Sequence, residues 1–237
     1  MLIEIWSDIM CPFCYIGKHH FETALDQVNF KDKLKIQYRS YMLNPDYYNV
    51  EGESTYSMLS RTKGITIDQA KDVTQRVVQM GTEVGLSINF DTNIPANTFK
   101  SHELIHLASK YKIGSQVKEL LFEAHFNKGK NIEDIKVLIN IADEAGIPKE
   151  EVEKALQSDE FAYAVKQDIQ EARNLGIQGV PFFLFDRKYA VSGAQPVSVF
   201  FGALTKSFEE WKKENPSITI LNKDDQSLNC NDDSCNI

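Results

Sequence analysis

The first forty residues alternate between apolar and polar positions with two different periods. Residues 2–6, LIEIW, are β-branched and aromatic and predict a strand, whereas residues 16–28 carry apolar side chains at helical spacing. Residues 33–41, KLKIQYRSY, alternate as a half-buried strand does, and residues 44–46, NPD, break the pattern. The chain is therefore predicted to begin with a β-α-β unit.

The next hundred residues carry almost no strand signal. Residues 54–158 have helical periodicity, with a plausible capping box at Thr66 and Gln69 and a helix start at Pro148, which precedes Lys-Glu-Glu. We expect a large helical block here.

Sheet signals return near the end of the chain. After a predicted helix at 159–175, residues 182–185 and 189–191 have the composition of two short strands joined by a turn. An amphipathic helix at 196–214 and a polar tail follow. The predicted order is βαβ, a helical block, then αββα.

Composition and charge exclude several classes of function. The chain has 237 residues, 42% of them hydrophobic and 25% charged, with a net charge of -8. No basic stripe indicates a nucleic-acid partner, and neither a signal peptide nor an apolar run of about 18 residues indicates a membrane. A cytoplasmic location is expected, where four cysteines point to catalysis or metal binding rather than to a disulfide scaffold.

Two of the cysteines, Cys11 and Cys14, fall at the predicted strand-to-helix junction. If Cys11 is the N-cap residue, the free amides and the positive dipole end of the helix stabilise its thiolate, and Pro12 suits the first helical position. An exposed Cys11 would attack a disulfide and a shielded Cys14 would resolve the mixed disulfide. A zinc site is the alternative, although it needs two further nearby ligands.

Three segments in this order resemble the DsbA-like thiol oxidoreductases, and more narrowly their FrnE branch: SDIMCPFCYIGK, NTFKSHELIHLA and GVPFFLFDRKYAVSGAQP. The resemblance covers about residues 1–214. It implies an α/β (α+β) thioredoxin fold formed by residues 1–43 and 159–214, with residues 44–158 as an inserted helical domain and residues 215–237 as a polar tail. The chain departs from the branch at Phe13, where tryptophan is commoner, and at Glu103, where a basic residue is usual.

The resemblance also implies roles for residues distant from the cysteines. Most X-Pro bonds are trans, so the sequence alone favours a trans Val180-Pro181 bond, whereas the resemblance implies a cis proline packed on the dithiol. The backbone before this proline would then pair with an extended substrate. A substrate groove is expected from the following residues: Pro12, Phe13, Asn97, Thr98 and His102. The alternative for Asn97 and Thr98 is helix capping.

Residues 102–106 read HELIH, which matches the zinc motif H-E-x-x-H. Third-ligand candidates are Glu119, Glu123 and His125, but none lies in a known follow-on motif, and His125 is interpreted as a surface residue. The apolar neighbours of the motif favour a packed helix. We predict no metal and no cofactor.

A second cysteine pair, Cys230 and Cys235, lies in the acidic tail. The aspartates between them make either thiol a poor nucleophile, but the pair could store oxidising equivalents for Cys11 and Cys14. The alternative is a tail with idle thiols.

The sequence therefore predicts a protein dithiol-disulfide oxidoreductase or isomerase. Its partners would be cysteine-containing polypeptides and a redox partner, either a small thiol or a thioredoxin-type protein. Two alternatives remain: a glutathione-dependent isomerase or transferase of the kappa and hydroxychromene-carboxylate type, and a non-catalytic redox-sensing module. Enzymes of the first alternative usually carry serine near the Cys11 position and lack the second thiol, so retention of both cysteines is the discriminating feature.

Overall fold

A four-stranded sheet with helices on both faces forms the framework of the computed structural model, which describes residues 1–48 and 50–216. The elements in chain order are β1 Leu2–Ser7, α1 Pro12–Asp26, β2 Lys35–Ser40, α2 Thr55–Lys63, α3 Ile67–Glu83, α4 Phe99–Lys110, α5 Gly114–Phe122, α6 Ile135–Glu144, α7 Lys149–Gln157, α8 Ala162–Asn174, β3 Phe182–Phe185, β4 Tyr189–Ser192 and α9 Val197–Glu214. A 3-10 turn at Lys31–Lys33 and a π-helical turn at Glu123–Asn127 complete them. None of the helices described here has the length and apolarity needed to cross a bilayer.

The strand order is β2-β1-β3-β4. Strands β1 and β2 are parallel, with Leu2 opposite Lys35, whereas β3 runs antiparallel to β1, with Trp6 opposite Phe182. The end of β1 therefore lies beside the start of β3. This register brings the loop that begins α1 next to the residues that precede β3, although about 170 residues separate them in sequence.

The two faces of the sheet are covered by different helices. Helices α1 and α9 cover one face, where the Phe183 ring packs against those of Phe21 and Phe200 at centroid distances of 5.4 and 4.6 Å. On the other face, Trp6 packs with Ala172 of α8 and with Ile177. The alternation in β1 thus buries side chains on both sides, as expected for a central strand.

A buried ionic network ties the helical block to the sheet. Arg39 of β2 donates to Glu4 at 2.6 Å and to Asp168 of α8 at 2.9 Å, and Arg187 donates to the other oxygen of Glu4 at 2.7 Å. The His106 ring of α4 lies 3.1 Å from Asp168. If α4 or α8 moved away from β2, a buried charge would lose its partner, which is costly. The network therefore holds both helices against β2.

Most predicted element boundaries agree with the structure. The capping box is present, with Thr66 Oγ1 accepting from the Gln69 amide and Gln69 Oε1 accepting from the Thr66 amide. The first helix begins at Pro12, earlier than its apolar spacing suggested, and α8 begins three residues later than predicted. The capping alternative for Asn97 is correct, since its side chain accepts from the Phe99 amide at 3.0 Å, whereas Thr98 is an N-cap without a side-chain cap bond.

Candidate active site at the start of the first helix

Cys11 occupies the N-cap position of α1. Its backbone is extended (φ -92°, ψ 108°), its carbonyl accepts from the Cys14 amide at 3.0 Å, and Pro12 follows at the first helical position. The sulfur of Cys11 is therefore at the end of the helix where unpaired amides and the dipole favour negative charge.

Val180, which lies just before the neighbouring strand β3, contacts Cys11. The Cys11 thiol donates to the carbonyl oxygen of Val180 at 3.5 Å, and the Val180-Pro181 peptide bond is cis. The antiparallel pairing of β1 with β3 produces this contact, because it sets the residues before Phe182 beside the loop that follows Ser7.

Both thiols are buried, which corrects the expectation of an exposed Cys11. Only 4% of Cys11 and 2% of Cys14 is accessible. Cys11 is buried because residues of the helical block cover the start of α1 and form a cavity there. Cys11 forms part of the wall of this cavity and Cys14 does not, so the two thiols differ in the access that the cavity provides.

Burial raises the pKa of the Cys14 thiol well above its usual range, and the adjacent Cys11 adds to this effect. Lys118 acts in the opposite direction through its positive charge. Cys14 is therefore protonated in the dithiol form, and its ionisation depends on the charges around it.

Lys118 of α5 is a buried cation near the dithiol that the sequence does not reveal. Its ammonium is fully buried, has no hydrogen-bond partner among the described residues, and lies 5.0 Å from the centre of the Tyr38 ring. Burial lowers the pKa of Lys118 to about 8, although Cys14 and Asp8 pull it upward. A lysine with this pKa exchanges protons near neutral pH.

Helix α5 is held in place by its contacts with α1. The rings of Tyr15 and Phe122 stack with their centroids 4.8 Å apart, and Lys18 donates to Glu119 at 2.6 Å. Because Tyr15 follows Cys14 directly, these contacts fix the helix that carries Lys118 against the helix that carries the dithiol.

Asp8 stabilises the loop between β1 and α1. Its carboxylate accepts from the Leu43 amide at 2.7 Å, its carbonyl accepts from the Cys11 amide at 3.2 Å, and the His102 ring lies 3.7 Å away. Burial alone would raise the pKa of Asp8, but hydrogen bonds from His102, Leu43 and Thr98 outweigh it and lower the pKa. A buried carboxylate thus lies directly in front of the dithiol helix.

The cavity beside Cys11 has a volume of about 710 Å³. Pro12, Phe13, Thr98 and Val180 line it together with Cys11, as do residues of α2, α3 and the π-helical turn. Four of the residues expected at a substrate site from the sequence thus share one cavity wall with Cys11.

A family model described as "DSBA-like thioredoxin domain" matches residues 2–205. The chain belongs to this family. A probable DsbA oxidoreductase from Streptomyces coelicolor is 33% identical in sequence and superposes with a TM-score of 0.83, over 100% of this chain and 99% of that one. The predicted thioredoxin fold with a helical insertion is therefore confirmed.

Two further comparisons extend the likeness. The uncharacterized protein YwbO of Bacillus subtilis (strain 168) is 27% identical over 215 residues, which are 90% of this chain and 98% of YwbO. The cytosolic disulfide reductase DsbM of Pseudomonas aeruginosa is 14% identical and has a TM-score of 0.63, over 89% of this chain and 100% of DsbM. At this low identity, the likeness to DsbM shows a shared fold.

In this DSBA-like protein, Asn97 and His102 lie outside the cavity wall, contrary to the expectation from sequence. The side-chain amide of Asn97 donates to the Tyr47 carbonyl at 3.1 Å, and the ring of His102 lies 2.9 Å from the Tyr41 carbonyl oxygen. Both side chains thus hold the loop after β2, and His102 also acts on the site through Asp8.

The HELIH segment does not gather its side chains at one point. His102 faces Tyr41 and Asp8, Glu103 lies 2.7 Å from Lys100, and His106 faces Asp168. Within the part of the chain that the structure describes, no group of three His, Cys, Asp or Glu side chains is arranged to hold a metal. The segment packs as helix α4.

His125 is buried, not on the surface as its sequence context suggested. It is 1% exposed, lies in the cavity wall, and its ring meets the Phe126 ring edge-on at 4.6 Å. The π-helical turn turns these two side chains inward, and such turns often occur at functional sites. Cys230 and Cys235 lie outside the described residues.

Proposed function

We propose that this protein is a dithiol-disulfide oxidoreductase in which Cys11 attacks and Cys14 resolves. The observation that carries the proposal is the unequal placement of the two thiols. Cys11 is at the N-cap and in the cavity wall, whereas Cys14 is one turn deeper and outside the wall. Membership of the DSBA-like family supports the same chemistry.

The exchange proceeds in two balanced steps. The Cys11 thiolate attacks one sulfur of a substrate disulfide, forms a mixed disulfide, and expels the second substrate sulfur as a thiolate that takes up a proton from water. Cys14 then gives its proton to water and attacks the Cys11 sulfur, which forms the Cys11-Cys14 disulfide and releases the first substrate sulfur as a thiolate that takes up a proton. Two electrons pass from the protein to the substrate, and the reverse sequence oxidises a substrate dithiol.

Ionisation of Cys14 is the demanding part of the second step. Its burial opposes a thiolate, and the buried ammonium of Lys118 favours one. We assign Lys118 the role of offsetting the cost of charging Cys14 at the moment when Cys14 attacks. Lys118 touches no substrate and is a positioning residue in this mechanism.

The substrates proposed from the sequence are cysteine-containing polypeptides, with a small thiol or a thioredoxin-type protein as redox partner, and the proposed location is the cytoplasm. The disulfide reductase DsbM supports this class because it is described as cytosolic and has also been solved with GSH, with a TM-score of 0.59 to this chain. Assignment to the FrnE branch, and the division into residues 1–43 with 159–214 and an inserted 44–158, rest on the sequence motifs.

One property of the cavity, its volume, favours a second candidate, a glutathione-dependent enzyme acting on small molecules. Its volume of about 710 Å³ falls within the range of about 300–1,000 Å³ typical of small-molecule sites. Retention of Cys14 argues against this candidate, because isomerisation through bound glutathione needs no resolving thiol.

Insulin reduction with a dithiol donor tests the proposal. We expect activity in the wild type and its loss in Cys11→Ser. In Cys14→Ser we expect a mixed disulfide between Cys11 and insulin, visible on a non-reducing gel. Full insulin reduction by Cys11→Ser contradicts the proposal, and equal rates in a glutathione-dependent isomerisation by wild type and Cys14→Ser favour the second candidate.

A further inference from the structure

The wall of the cavity opposite the dithiol is mainly apolar. Helices α2 and α3 contribute Leu59, Val73 and Val77, the loop after α3 contributes Phe90, and the π-helical turn contributes Phe126. A group that enters beside Cys11 therefore removes apolar surface from water on most of its sides, which is favourable in proportion to the area buried.

Two buried polar groups in this wall have no hydrogen-bond partner among the described residues. They are Nδ2 of Asn93, which is 5% exposed, and Nδ1 of His125. Asn93 Oδ1 accepts from the Thr55 hydroxyl at 3.2 Å, which orients the amide and leaves its nitrogen as a free donor. A buried polar atom without a partner costs about 1–3 kcal/mol, so a bound molecule that supplies a partner to either group regains that cost.

The imidazole of His125 is uncharged at neutral pH. Burial lowers the pKa of His125 to about 4. It therefore offers the cavity a neutral hydrogen-bonding group beside an aromatic wall, and does not attract an anion by charge.

The charges in the wall do not suit a ligand with several carboxylates. The two cations are Arg61 and Lys63, and two acids, Asp8 and Asp46, lie in the same wall. Both of the Arg61 nitrogens that face Glu53 are used, with distances of 2.9 and 3.0 Å to its carboxylate. The balance of charge is near zero, so selection must come from shape, apolar contact and the two free polar groups.

The burial of Cys11 restricts what can reach its sulfur. Because only 4% of Cys11 is accessible, the reacting group must enter the cavity, and a small disulfide enters it more readily than one held in the surface of a folded protein.

We propose that the cavity binds an uncharged low-molecular-weight thiol or disulfide with an aromatic or apolar body and a hydrogen-bond acceptor, the acceptor meeting Asn93 and the sulfur meeting Cys11. This proposal rests on the proposed function, since it names a substrate class for the same site. The bond exchange is the one already given, with the substrate disulfide as oxidant and two electrons moving from the dithiol to it.

Methanethiosulfonate probes test the proposal because they form a disulfide with Cys11 and release the same sulfinate. The full chain with Cys14→Ser, Cys230→Ser and Cys235→Ser, in which Cys11 is the one remaining cysteine, is treated with 2-(benzoylamino)ethyl, benzyl and anionic 2-sulfonatoethyl methanethiosulfonate. Each rate is divided by that of the unfolded protein in urea. We expect the benzoylamino probe to react fastest and the sulfonate slowest, with at least about tenfold between them, or about 1.4 kcal/mol.

Two substitutions in α3 form a matched pair. Val73→Trp narrows the cavity, and Met80→Trp adds the same ring on the same helix outside the wall; the two native side chains are 46% and 38% exposed. We expect Val73→Trp to slow the two aromatic probes and Met80→Trp to leave them unchanged. Asn93→Leu should remove the advantage of the benzoylamino probe over the benzyl probe, with circular dichroism confirming the fold.

Three outcomes overturn the proposal. The first is equal normalised rates for all probes, and the second is equal effects of Val73→Trp and Met80→Trp on those rates. The third is a loss of insulin reduction in Val73→Trp as large as its loss of probe reactivity. That result would assign the cavity to a polypeptide side chain. Insulin reduction by proteins with intact Cys14 separates this result from failure of the proposed function. If Cys11→Ser is inactive and the probes do not discriminate, only the substrate class is wrong.

Discussion

Gly17 of α1 lies directly against Pro181. A Cβ atom on Gly17 would be 2.9 Å from Pro181 Cγ and 3.4 Å from Ala194 Cα, so the helix and the loop before β3 approach at a distance that only glycine permits. This contact sets the spacing between the start of α1, where Cys11 lies, and the backbone of Val180.

Gly17→Ala is therefore expected to push α1 away from Pro181. Overpacking of this kind costs about 1–3 kcal/mol, and we expect urea unfolding to show that loss together with slower insulin reduction. Gly202→Ala in α9 is the matched control, because nothing lies within 4 Å of a Cβ at that position. A wild-type unfolding midpoint and rate in Gly17→Ala would contradict the close packing.

Lys118→Met tests whether a buried charge has been retained at the expense of stability. The pKa of Lys118 is lowered to about 8 in the folded chain, against about 10.4 in the unfolded chain. Below pH 8 the lysine is charged in both states, and the folded state carries the whole cost of burying that charge. Above pH 10.4 the lysine is neutral in both states and the cost is absent. At pH 7 we expect Lys118→Met to be more stable by on the order of 3 kcal/mol, with the gain fading as the pH rises through that window.

The same variant should resolve mixed disulfides more slowly, because Cys14 loses the charge that favours its thiolate. The lifetime of the Cys11 mixed disulfide with a small thiol, followed by mass spectrometry after quenching, measures this step. Lys166→Met, an exposed substitution on α8, is the control for removing a positive charge. Equal lifetimes in all three proteins would remove Lys118 from the mechanism.

His125 predicts acid sensitivity. Its pKa is lowered to about 4 by burial, so below about pH 6.5 the unfolded chain binds a proton that the folded chain does not. Stability is therefore present above pH 6.5 and falls as the pH drops toward 4, by on the order of 3 kcal/mol. Burial lowers the pKa of His102 as well and adds to the fall. We expect the free energy of unfolding, measured with urea at pH 7, 5.5 and 4.5, to fall less steeply with decreasing pH in His125→Asn than in the wild type. An equally steep fall in both proteins would contradict this prediction.

The tail cysteines predict a difference in reoxidation. If Cys230 and Cys235 form a disulfide that exchanges with Cys11 and Cys14, the full chain should recover its active-site disulfide faster than a chain ending at Ser227. The polar segment before them, residues 215–229, has 15 residues and at roughly 3.3–3.6 Å per residue can span tens of ångströms when extended. Identical rates, with no mixed disulfide trapped between Cys11 and either tail cysteine, would leave the tail without a redox role.

The sheet and the dithiol were readable from the sequence because each depends on local chemistry. Alternation and β-branching predicted residues 182–185 as a strand, and the structure has the same bounds. Cys11 and Cys14 are recognisable from their spacing after a strand.

The buried charges behind the dithiol were not readable, because they depend on how the helical block packs. Lys118 stands four residues before Phe122 and three before Leu121, so it shares the apolar face of α5; that position was the available signal. For His125, a regular α-helix gives the wrong orientation, and nothing in the local pattern indicates the π-helical turn that directs it inward.

The pairing of β1 with β3 also governs how this chain is made. Ile3 pairs with Phe185, so the sheet that flanks the dithiol cannot close until the whole helical block has left the ribosome. At about 5–20 residues per second, the interval between emergence of the two strands is about 10–35 s. During that time Cys11 and Cys14 lack the contact with Val180 and the cover of the helical block, and the nascent chain must depend on a reducing environment or on a partner to keep its thiols from premature oxidation.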